Sequence, residues 1–442
     1  NVTIPIQAFF GELKDNSPNK YLTPITVLDK NINLDQLLSI HNAMNYPVSY
    51  IQGPPGTGKT NTIINTIITA FFNGKTVLFA SYNNHPIDTV FEKLSSLKYY
   101  RNDRNKTIEI IPFPVLRLGN NDKVKESLKY IRALYDKTKN ITIYPETLMR
   151  NRDEKIDEIT QLVELLKRHR EAVDLREIKE TVESLLDNSS DMEFKLVLES
   201  NQLSQIKKRL DAIGKISDED AIKLLDFDSE KEFRKYLFYT SADYIQNLAL
   251  PEYKDLLEIV FMEDEEKQVI AFNRYISNTE NLKLLQNIFP IICTTCISAH
   301  KLGGAEPIFD MTIIDEASQC NTAVSLVPII RGNALMLVGD PQQLNPVITL
   351  DVNINENLKE NYTVSDDYDY ISNSIYKSFL ANDAVSEEIL LHNHYRCTKE
   401  IINFNNKKYY NNQLIEVLYN YIMHFKTIIH CFLLWNIVQV VI

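Results

Sequence analysis

The segment GPPGTGKT, residues 53–60, constrains the fold of this chain more than any other feature of the sequence. It follows the apolar run PVSYIQ (47–52) and precedes KTNTIINTIITAFFNG (59–74), in which apolar residues recur at helical spacing. A glycine-rich turn between a strand and a helix points successive backbone N–H groups inward, and the helix N-terminus adds positive potential. The segment therefore predicts a phosphate-binding loop.

The residue types in this loop indicate what each group binds. The side chain of Lys59 can reach the β- and γ-phosphates of a nucleotide, and the hydroxyl of Thr60 can ligate Mg²⁺. The residues predicted to hold the nucleotide are Gly53, Pro54, Pro55, Gly56, Thr57, Gly58, Lys59 and Thr60.

Further apolar runs predict the rest of a parallel sheet. They are TVLFAS (76–81), MTIID (311–315) and ALMLVG (334–339), and each is continuous rather than alternating. Continuous apolar strands are typical of parallel sheets covered on both faces. Because a strand, a helix and a second strand follow in order, the predicted fold class is α/β.

The stretch 124–288 has a different pattern, which predicts a long α-helical, coiled-coil-like insertion. Apolar residues at heptad spacing are Ile156, Ile159, Val163, Leu166, Leu196, Leu203, Ile206, Leu210 and Ile213. Between the two sets lies a turn cluster, DNSSD (187–191), in which Ser190 and Glu193 match a capping box. A charged helical hairpin fits this pattern, either as a structural arm or as an arm that guides a partner protein or nucleic acid.

Composition limits the classes of protein to which the chain can belong. Of its 442 residues 44% are hydrophobic and 24% charged, which is typical of a globular protein of two to three domains. The net charge of −12 argues against a general coat for nucleic acid, although a local basic groove remains compatible with it.

Cysteines and termini give expectations about compartment. Five cysteines in a chain of this length predict no disulfide framework, and with no secretory signal we expect a reducing, cytoplasmic setting. Cys293 and Cys296 form a C-x-x-C without a matching second pair, so buried thiols are expected rather than a zinc or redox site. The apolar tail 427–442 is short for a membrane span, and we expect no membrane partner but an interrupted reading frame or a fragment.

Two further motifs end apolar runs with polar side chains. In TIIDEASQ, Asp315 can hold the water shell of a magnesium ion and Glu316 can polarise an attacking water, which favours hydrolysis; a solvated turn is the alternative. In LVGDPQQLNPV (337–347), Gln343 is an uncharged group that can sense the γ-phosphate, although Asp340–Pro341 alone would be an ordinary turn.

The motifs GPPGTGKT, DEASQ, GDPQQLNPV and HNHYRC (392–397) together resemble those of the superfamily 1B helicases, in the branch of the RNA-surveillance and Senataxin-type enzymes. The resemblance covers about residues 31–120 and 286–415. It implies a RecA-like P-loop domain and an ATP-dependent helicase or translocase that hydrolyses ATP with Mg²⁺. It also implies 5′-to-3′ movement on single-stranded RNA or DNA.

The resemblance also implies roles for single residues. Gln36 would read the adenine edge, Tyr395 would stack on adenine, and Arg396 would stabilise charge on the γ-phosphate beside the catalytic Lys59, Glu316 and Gln343. Candidate contacts to the nucleic-acid backbone are Ser81, Asn83, Asn84, Thr294 and Thr295. Neutral donors of this kind position a strand without reading its sequence; taken alone, they would be ordinary polar loop residues. His85, His392 and His394 receive no role.

The chain departs from the family after Arg396, where no later helicase motif is found. The expected division is a first RecA-like domain at 1–123 and 289–387, interrupted by the helical insertion at 124–288, and a truncated second domain from 388 to 442. The alternative to a working motor is a nucleotide-gated nucleic-acid-binding module with little turnover and no unwinding. A third alternative is an ATPase clamp that binds a protein partner through the helical insertion.

Overall fold

The computed structural model describes residues 2–18, 23–28, 31–100, 107–143, 159–188, 195, 197, 199–225 and 230–417. Several sequence predictions fall outside this part of the chain: the capping box at Ser190 and Glu193, the heptad positions Ile156 and Leu196, and the apolar tail.

A parallel sheet of seven strands forms the centre of the structure, in the order β5-β6-β2-β7-β8-β1-β9. Two further pairs, antiparallel β3-β4 and parallel β10-β11, lie outside it. The strands are β1 (Val48–Gln52), β2 (Val77–Ser81), β3 (Lys98–Tyr100), β4 (Ile108–Ile110), β5 (Val115–Arg117), β6 (Ile291–Thr295), β7 (Phe309–Asp315), β8 (Gly332–Gly339), β9 (Glu388–Leu390), β10 (Asn393–His394) and β11 (Ile415–Glu416). This confirms the predicted α/β class and a RecA-like sheet.

Helices cover both faces of the sheet. They are α1 (Ile4–Phe9), α2 (Leu34–Asn45), α3 (Lys59–Phe72), α4 (Asn84–Ser95), α5 (Asn121–Thr138), α6 (Ile159–Asn188), α7 (Ser204–Ile213), α8 (Asp218–Leu224), α9 (Glu230–Gln246), α10 (Lys254–Val260), α11 (Glu265–Ser277), α12 (Thr279–Gln286), α13 (Thr322–Ile329), α14 (Val352–Tyr362), α15 (Ile375–Asn382) and α16 (Lys399–Tyr409).

The side chains of the central strands alternate between the two faces of the sheet, and apolar clusters cover both faces. In β2, Phe79 packs with α2, α3 and α4 on one face, whereas Leu78 and Ala80 face the helices on the other. Both faces are therefore apolar, which explains why the strands read as continuous apolar runs. Helix α3 is buried over most of its length because it packs on the sheet beside α2 and is further covered by Phe233 and Tyr236 of α9.

The helical segment between β5 and β6 packs onto the sheet domain rather than standing apart from it. Leu162 and Leu166 of α6 and Phe233 of α9 join the core on the α3 face, while α5, α11 and α12 line the core on the opposite face. A hairpin-like apolar contact lies farther along, where the second half of α6 packs against Leu203 and α7. A helical periodicity gives the apolar face of a helix but not its partner, so the predicted hairpin did not include the packing of these helices on the sheet.

The end of the described chain returns to the sheet. Strand β9 pairs with β1 in register, with Ile389 opposite Ile51. The sheet of the first domain therefore extends at least to Leu390, beyond the expected division at residue 388. Beyond β9, the pair β10-β11 and α16 form a small cluster around Ile402, Tyr410 and Leu414.

Candidate nucleotide site

The residues predicted to bind nucleotide meet at the carboxyl end of the central sheet. Strands β1, β8 and β7 are neighbours, so the loop after β1 lies close to the Asp315–Glu316 pair that follows β7. The N–H of Gly53 donates to the carbonyl of Gly339, the last residue of β8, at 2.8 Å. Carboxyl ends of parallel strands are where ligands bind in open α/β sheets.

Lys59 and Glu316 form an ion pair across the site. The Nζ of Lys59 lies 3.4 Å from Oε1 of Glu316, and the two side chains are only 13% and 24% exposed. Among the described residues, Oε2 of Glu316 is buried without a hydrogen-bond partner. Glu316 has a left-handed backbone, with φ of +53°, which is uncommon for a residue with a side chain. The pair is thus a partly buried cation and carboxylate with unused bonding capacity.

Asp315 lies beside this pair and is more deeply buried. Burial and the charge of Glu316 raise the pKa of Asp315 to about 7, although Lys59 and the hydrogen bond from the N–H of Glu316 oppose the shift. That N–H donates to Oδ1 at 2.8 Å. A carboxylate that is buried against its charge, beside Lys59 and with the half-buried Thr60 directly after that lysine, is suited to a cation that is not part of the protein.

The variant Asp315→Asn is expected to be more stable than the wild type in the absence of nucleotide. Because the pKa of Asp315 is raised, the folded wild type loses stability as the pH rises from about 4 to about 7. The amide of Asn carries no charge, so the gain should be largest above about pH 7, on the order of 2 kcal/mol in the free energy of unfolding, and should shrink towards pH 4.

Urea unfolding at pH 8 and pH 5 measures this gain. Asp211, which is exposed, gives the matched control Asp211→Asn, whose unfolding free energy should change little at either pH. An equal effect of Asp315→Asn at both pH values would contradict the raised pKa.

The side of the site that is predicted to hold adenine is built from the first turn of α2. Asn33 and Gln36 form a capping box, in which the N–H of Gln36 donates to Oδ1 of Asn33 and the Gln36 side chain accepts from the N–H of Asn33. The Nε2 of Gln36 lies 3.4 Å from the carbonyl of Thr57. Gly58 has φ of +90°, and a Cβ there would lie 2.4 Å from the Gln36 amide, so glycine is required.

Tyr395, which is distant in sequence, contacts both the first turn of α2 and the phosphate loop. Its hydroxyl accepts a hydrogen bond from the amide of Asn33 at 2.7 Å, and its N–H donates to the carbonyl of Gly56 at 2.9 Å. Arg396 is exposed, and its Cβ lies against Gly56, where φ is +85° and an added Cβ would meet it at 2.6 Å. The structure therefore brings Gln36, Tyr395 and Arg396 to the phosphate loop.

Gln343 is held by Asp340, a residue to which the sequence pattern assigned no role of its own. Its Nε2 donates to Oδ2 of Asp340 at 2.8 Å, and the Tyr410 hydroxyl donates to the same oxygen at 2.7 Å. Burial and the neighbouring Asp340 raise the pKa of Tyr410, which therefore remains a donor. Asp340 is fully buried. Its position directly after the buried strand β8 was the sequence signal for this role.

The candidate nucleic-acid contacts lie at the ends of neighbouring strands but differ in exposure. Ser81 of β2 pairs in register with Thr295 of β6. The hydroxyls of Ser81 and Thr294 are buried, and among the described residues neither has a hydrogen-bond partner. Asn83 and Asn84 are exposed, so the structure presents these two to solvent and places the hydroxyl candidates beneath the surface.

Two further polar groups near the site carry no signal in the sequence. Arg117, which is buried, donates to Oδ1 of Asn84 at 2.6 Å and to Asp88 at 2.7 Å, and so fixes Asn84. Asp35 contacts His169 and His392. The members of each set are far apart in the sequence, so spacing could not reveal them.

Other predictions concern metals and membranes. Among the described residues, no group of three or more His, Cys, Asp and Glu side chains is arranged to hold a metal ion. Cys293 and Cys296 are buried, and burial raises the pKa of the Cys293 thiol to about 12. In the same part of the chain, the helices are all too short or too polar to cross a bilayer.

Comparison with known proteins gives the family. The profile of an AAA domain, AAA_11, matches residues 31–350. An ATP-dependent helicase of Methanocaldococcus jannaschii is 26% identical over 388 residues, which are 87% of this chain and 46% of that protein.

Two eukaryotic relatives match over shorter shares of their length. Helicase SEN1 of Saccharomyces cerevisiae is 28% identical over 322 residues, 72% of this chain and 13% of its own. A homolog of regulator of nonsense transcripts 1 from Drosophila melanogaster is 32% identical over 128 residues, 27% of this chain and 11% of its own. The chain thus spans half or less of the length of these relatives. With the parallel sheet and the motifs at its carboxyl edge, the matches show that the chain belongs to the superfamily 1 helicases of the Senataxin and RNA-surveillance type.

Proposed function

We propose that this chain is the nucleotide-hydrolysing part of an ATP-dependent helicase or translocase that acts on single-stranded RNA or DNA. One observation carries the proposal: Lys59, at the start of the helix after the phosphate loop, is paired at 3.4 Å with Glu316, which adjoins the buried Asp315. A phosphate-binding lysine, a candidate base and a candidate metal ligand are the parts that hydrolysis of a phosphoanhydride requires.

The residues of the site then take distinct roles. ATP would lie with its adenine near Gln36 and Tyr395 and with its phosphates on the loop 53–60. The γ-phosphate would attract Lys59, because a phosphate carries more charge than a carboxylate. This would leave Glu316 free to accept a proton from the attacking water. Gln343, held by Asp340, would sense the γ-phosphate, and Arg396 would stabilise the charge that develops on it.

The residues present fit a magnesium ion. The hydroxyl of Thr60 and the carboxylate of Asp315 are hard oxygen donors, and the raised pKa of Asp315 indicates a buried carboxylate whose charge Lys59 only partly compensates. Bound Mg²⁺ would supply charge neutralisation at the phosphates; the protein supplies the position of its ligands.

The proposed path of the nucleic acid crosses the ends of β2 and β6. The exposed Asn83 and Asn84 would contact the strand first. The buried Ser81, Thr294 and Thr295 would contact it once a movement of the protein exposes them. Uncharged donors on this path would allow a strand to slide without reading its bases. Binding to the phosphate backbone releases counterions, so affinity should fall as salt is added.

Steady-state ATP hydrolysis, with and without single-stranded RNA or DNA, tests this proposal. We expect hydrolysis to require Mg²⁺, to rise when a strand is added, and to lose that stimulation between low and high salt. Asn84→Ala should weaken stimulation by several-fold without changing the unstimulated rate, because the proposed role of Asn84 is to contact the strand and not the nucleotide.

Two other results would change the interpretation. Binding of ATP and of the strand without turnover would favour the nucleotide-gated binding module. No ATP binding by the wild type would reject the proposed function.

A further inference from the structure

A carboxylate next to the adenine-side glutamine is buried between two histidines. Oδ1 of Asp35 lies 2.8 Å from Nε2 of His169, and Oδ2 lies 2.9 Å from Nδ1 of His392. The backbone N–H of His392 also donates to Oδ2, at 3.1 Å. The side chains of Asp35, His169 and His392 are 10%, 12% and 15% exposed. We call these three residues the His–Asp–His cluster.

The cluster connects three parts of the chain that are distant in sequence. Asp35 lies in the first turn of α2, His169 in α6 of the helical segment, and His392 just before β10. Asp35 is therefore one point at which α6 and the segment before β10 are both attached to α2. Hydrogen bonds to a charged acceptor that is shielded from water are among the stronger ones in proteins.

The same turn of α2 holds the residues that would recognise adenine. Gln36 follows Asp35, and Asn33 donates to the hydroxyl of Tyr395, three residues beyond His392. The segment 392–395 is thus held at two points, by Asp35 at one end and by Asn33 at the other. Tyr395 lies close to Gly58, and we expect its position to depend on both hydrogen bonds, the one to Asp35 and the one from Asn33, because together they hold the two ends of the segment 392–395.

The pKa shifts of Asp35 and His392 are those expected for a carboxylate that is hydrogen-bonded to histidine rings. Burial raises the pKa of Asp35, but the hydrogen bonds from His169 and His392 outweigh burial and hold the pKa below its usual value. Burial lowers the pKa of His392, but the Asp35 carboxylate and, more weakly, Glu177 raise it overall, against Arg170.

The other charged groups near the cluster lie on its helical side and around an adjoining cavity. Asp218 accepts a hydrogen bond from the N–H of Leu34 at 2.8 Å. A cavity of about 470 Å³ adjoins the cluster, and its charged lining includes Arg176, Glu177, Glu180 and Lys215.

We propose that the His–Asp–His cluster is a positioning device for the adenine pocket, and that through His169 it makes base recognition depend on the helical segment. The inference rests on the proposed function, because it takes the nucleotide to be ATP. Its members belong neither to the phosphate loop nor to the group formed by Lys59, Asp315 and Glu316. Loosening the cluster should therefore weaken the binding of ATP equally in the ground state and in the transition state. Such a loss raises KM without lowering kcat.

Paired substitutions at His169 test this in the full chain. Gln places an amide nitrogen close to the position of the histidine Nε2 and retains the donor to Asp35, whereas Leu removes it. We expect His169→Leu to raise KM for ATP about tenfold, the loss that corresponds to one charge-assisted hydrogen bond, with kcat within about twofold of the wild type. The preference for ATP over GTP should fall by a similar factor.

Rescue and control variants separate positioning from general damage. His169→Gln should restore KM and the ATP-to-GTP preference to within about twofold of the wild type. The exposed His300, on the other side of the sheet domain, gives the control His300→Leu, which should leave KM and the preference unchanged. If His169→Leu fails to fold, His169→Asn replaces it, because its shorter amide does not reach Oδ1.

The outcomes distinguish this inference from the proposed function. Unchanged KM and unchanged base preference in a folded His169→Leu or His169→Asn protein would overturn the positioning role. A parallel fall in kcat that His169→Gln does not restore would also overturn it. Failure of the wild type to bind ATP would reject the proposed function itself, before any variant is compared.

Discussion

Lys59→Ala is expected to abolish ATP hydrolysis and to weaken ATP binding by a factor on the order of 10² or more, the loss expected when a charged group that contacts phosphate is removed. The substitution also removes the only cation paired with Glu316 among the described residues, so two partly buried carboxylates would remain side by side. Their repulsion should disfavour the approach of an anionic nucleotide further. Calorimetric titration with ATP and a steady-state hydrolysis assay measure the two effects.

A matched control separates this from the loss of any surface charge. Lys254 forms an ion pair with Glu258 on α10, and the lysine side chain is 75% exposed. Lys254→Ala should leave both ATP affinity and turnover unchanged, because exposed ion pairs contribute little. If Lys59→Ala bound ATP as tightly as the wild type, the assignment of the phosphate loop would be wrong.

Glu316→Gln is expected to separate binding from hydrolysis. The amide cannot accept the proton of the attacking water, so turnover should fall by about 10²–10⁴. Binding should persist or become tighter, because Gln attracts Lys59 less strongly and leaves it free for the γ-phosphate. The rate of hydrolysis in a single turnover should therefore fall, while the affinity for ATP stays the same or rises.

Glu280 supplies the control for this variant. It lies on α12, pairs with Lys283, and its side chain is 78% exposed. Glu280→Gln should hydrolyse ATP at the wild-type rate. Normal turnover by Glu316→Gln would instead exclude Glu316 as the base and direct attention to another polar group near the loop.

The parts of the fold that follow from local pattern could be predicted from the sequence. The phosphate loop, the strands β1, β2, β7 and β8, and the helix α3 each combine an apolar run with turn residues, and both signals are local. The family resemblance added Gln36, Tyr395 and Arg396, which the structure brings to the loop. No spacing rule predicts the hydrogen bond between Asn33 and Tyr395, whose partners are 362 residues apart.

The packing of the helical segment could not be predicted for a different reason. Heptad spacing at Val163 and Leu166 is compatible with a partner helix and equally with a sheet-covering helix, since both bury one apolar stripe. The structure packs Leu166 into the core beside α3. The His–Asp–His cluster and the Asp340–Tyr410 hydrogen bond were missed because each joins residues from separate elements, which only the tertiary fold brings together.

The register of the sheet has a mechanical consequence. Thr295, Ser81 and Asp315 end three adjacent strands and occupy one row across them. The proposed metal ligand Asp315 is therefore one ladder spacing, about 5 Å, from Ser81 and two spacings, about 10 Å, from Thr295, with hydrogen-bonded backbone throughout. Such a ladder is stiff, so a displacement of Asp315 along β7 carries Ser81 and Thr295 with it. Force generated by hydrolysis would then reach the nucleic acid through the sheet itself, without a moving loop between them.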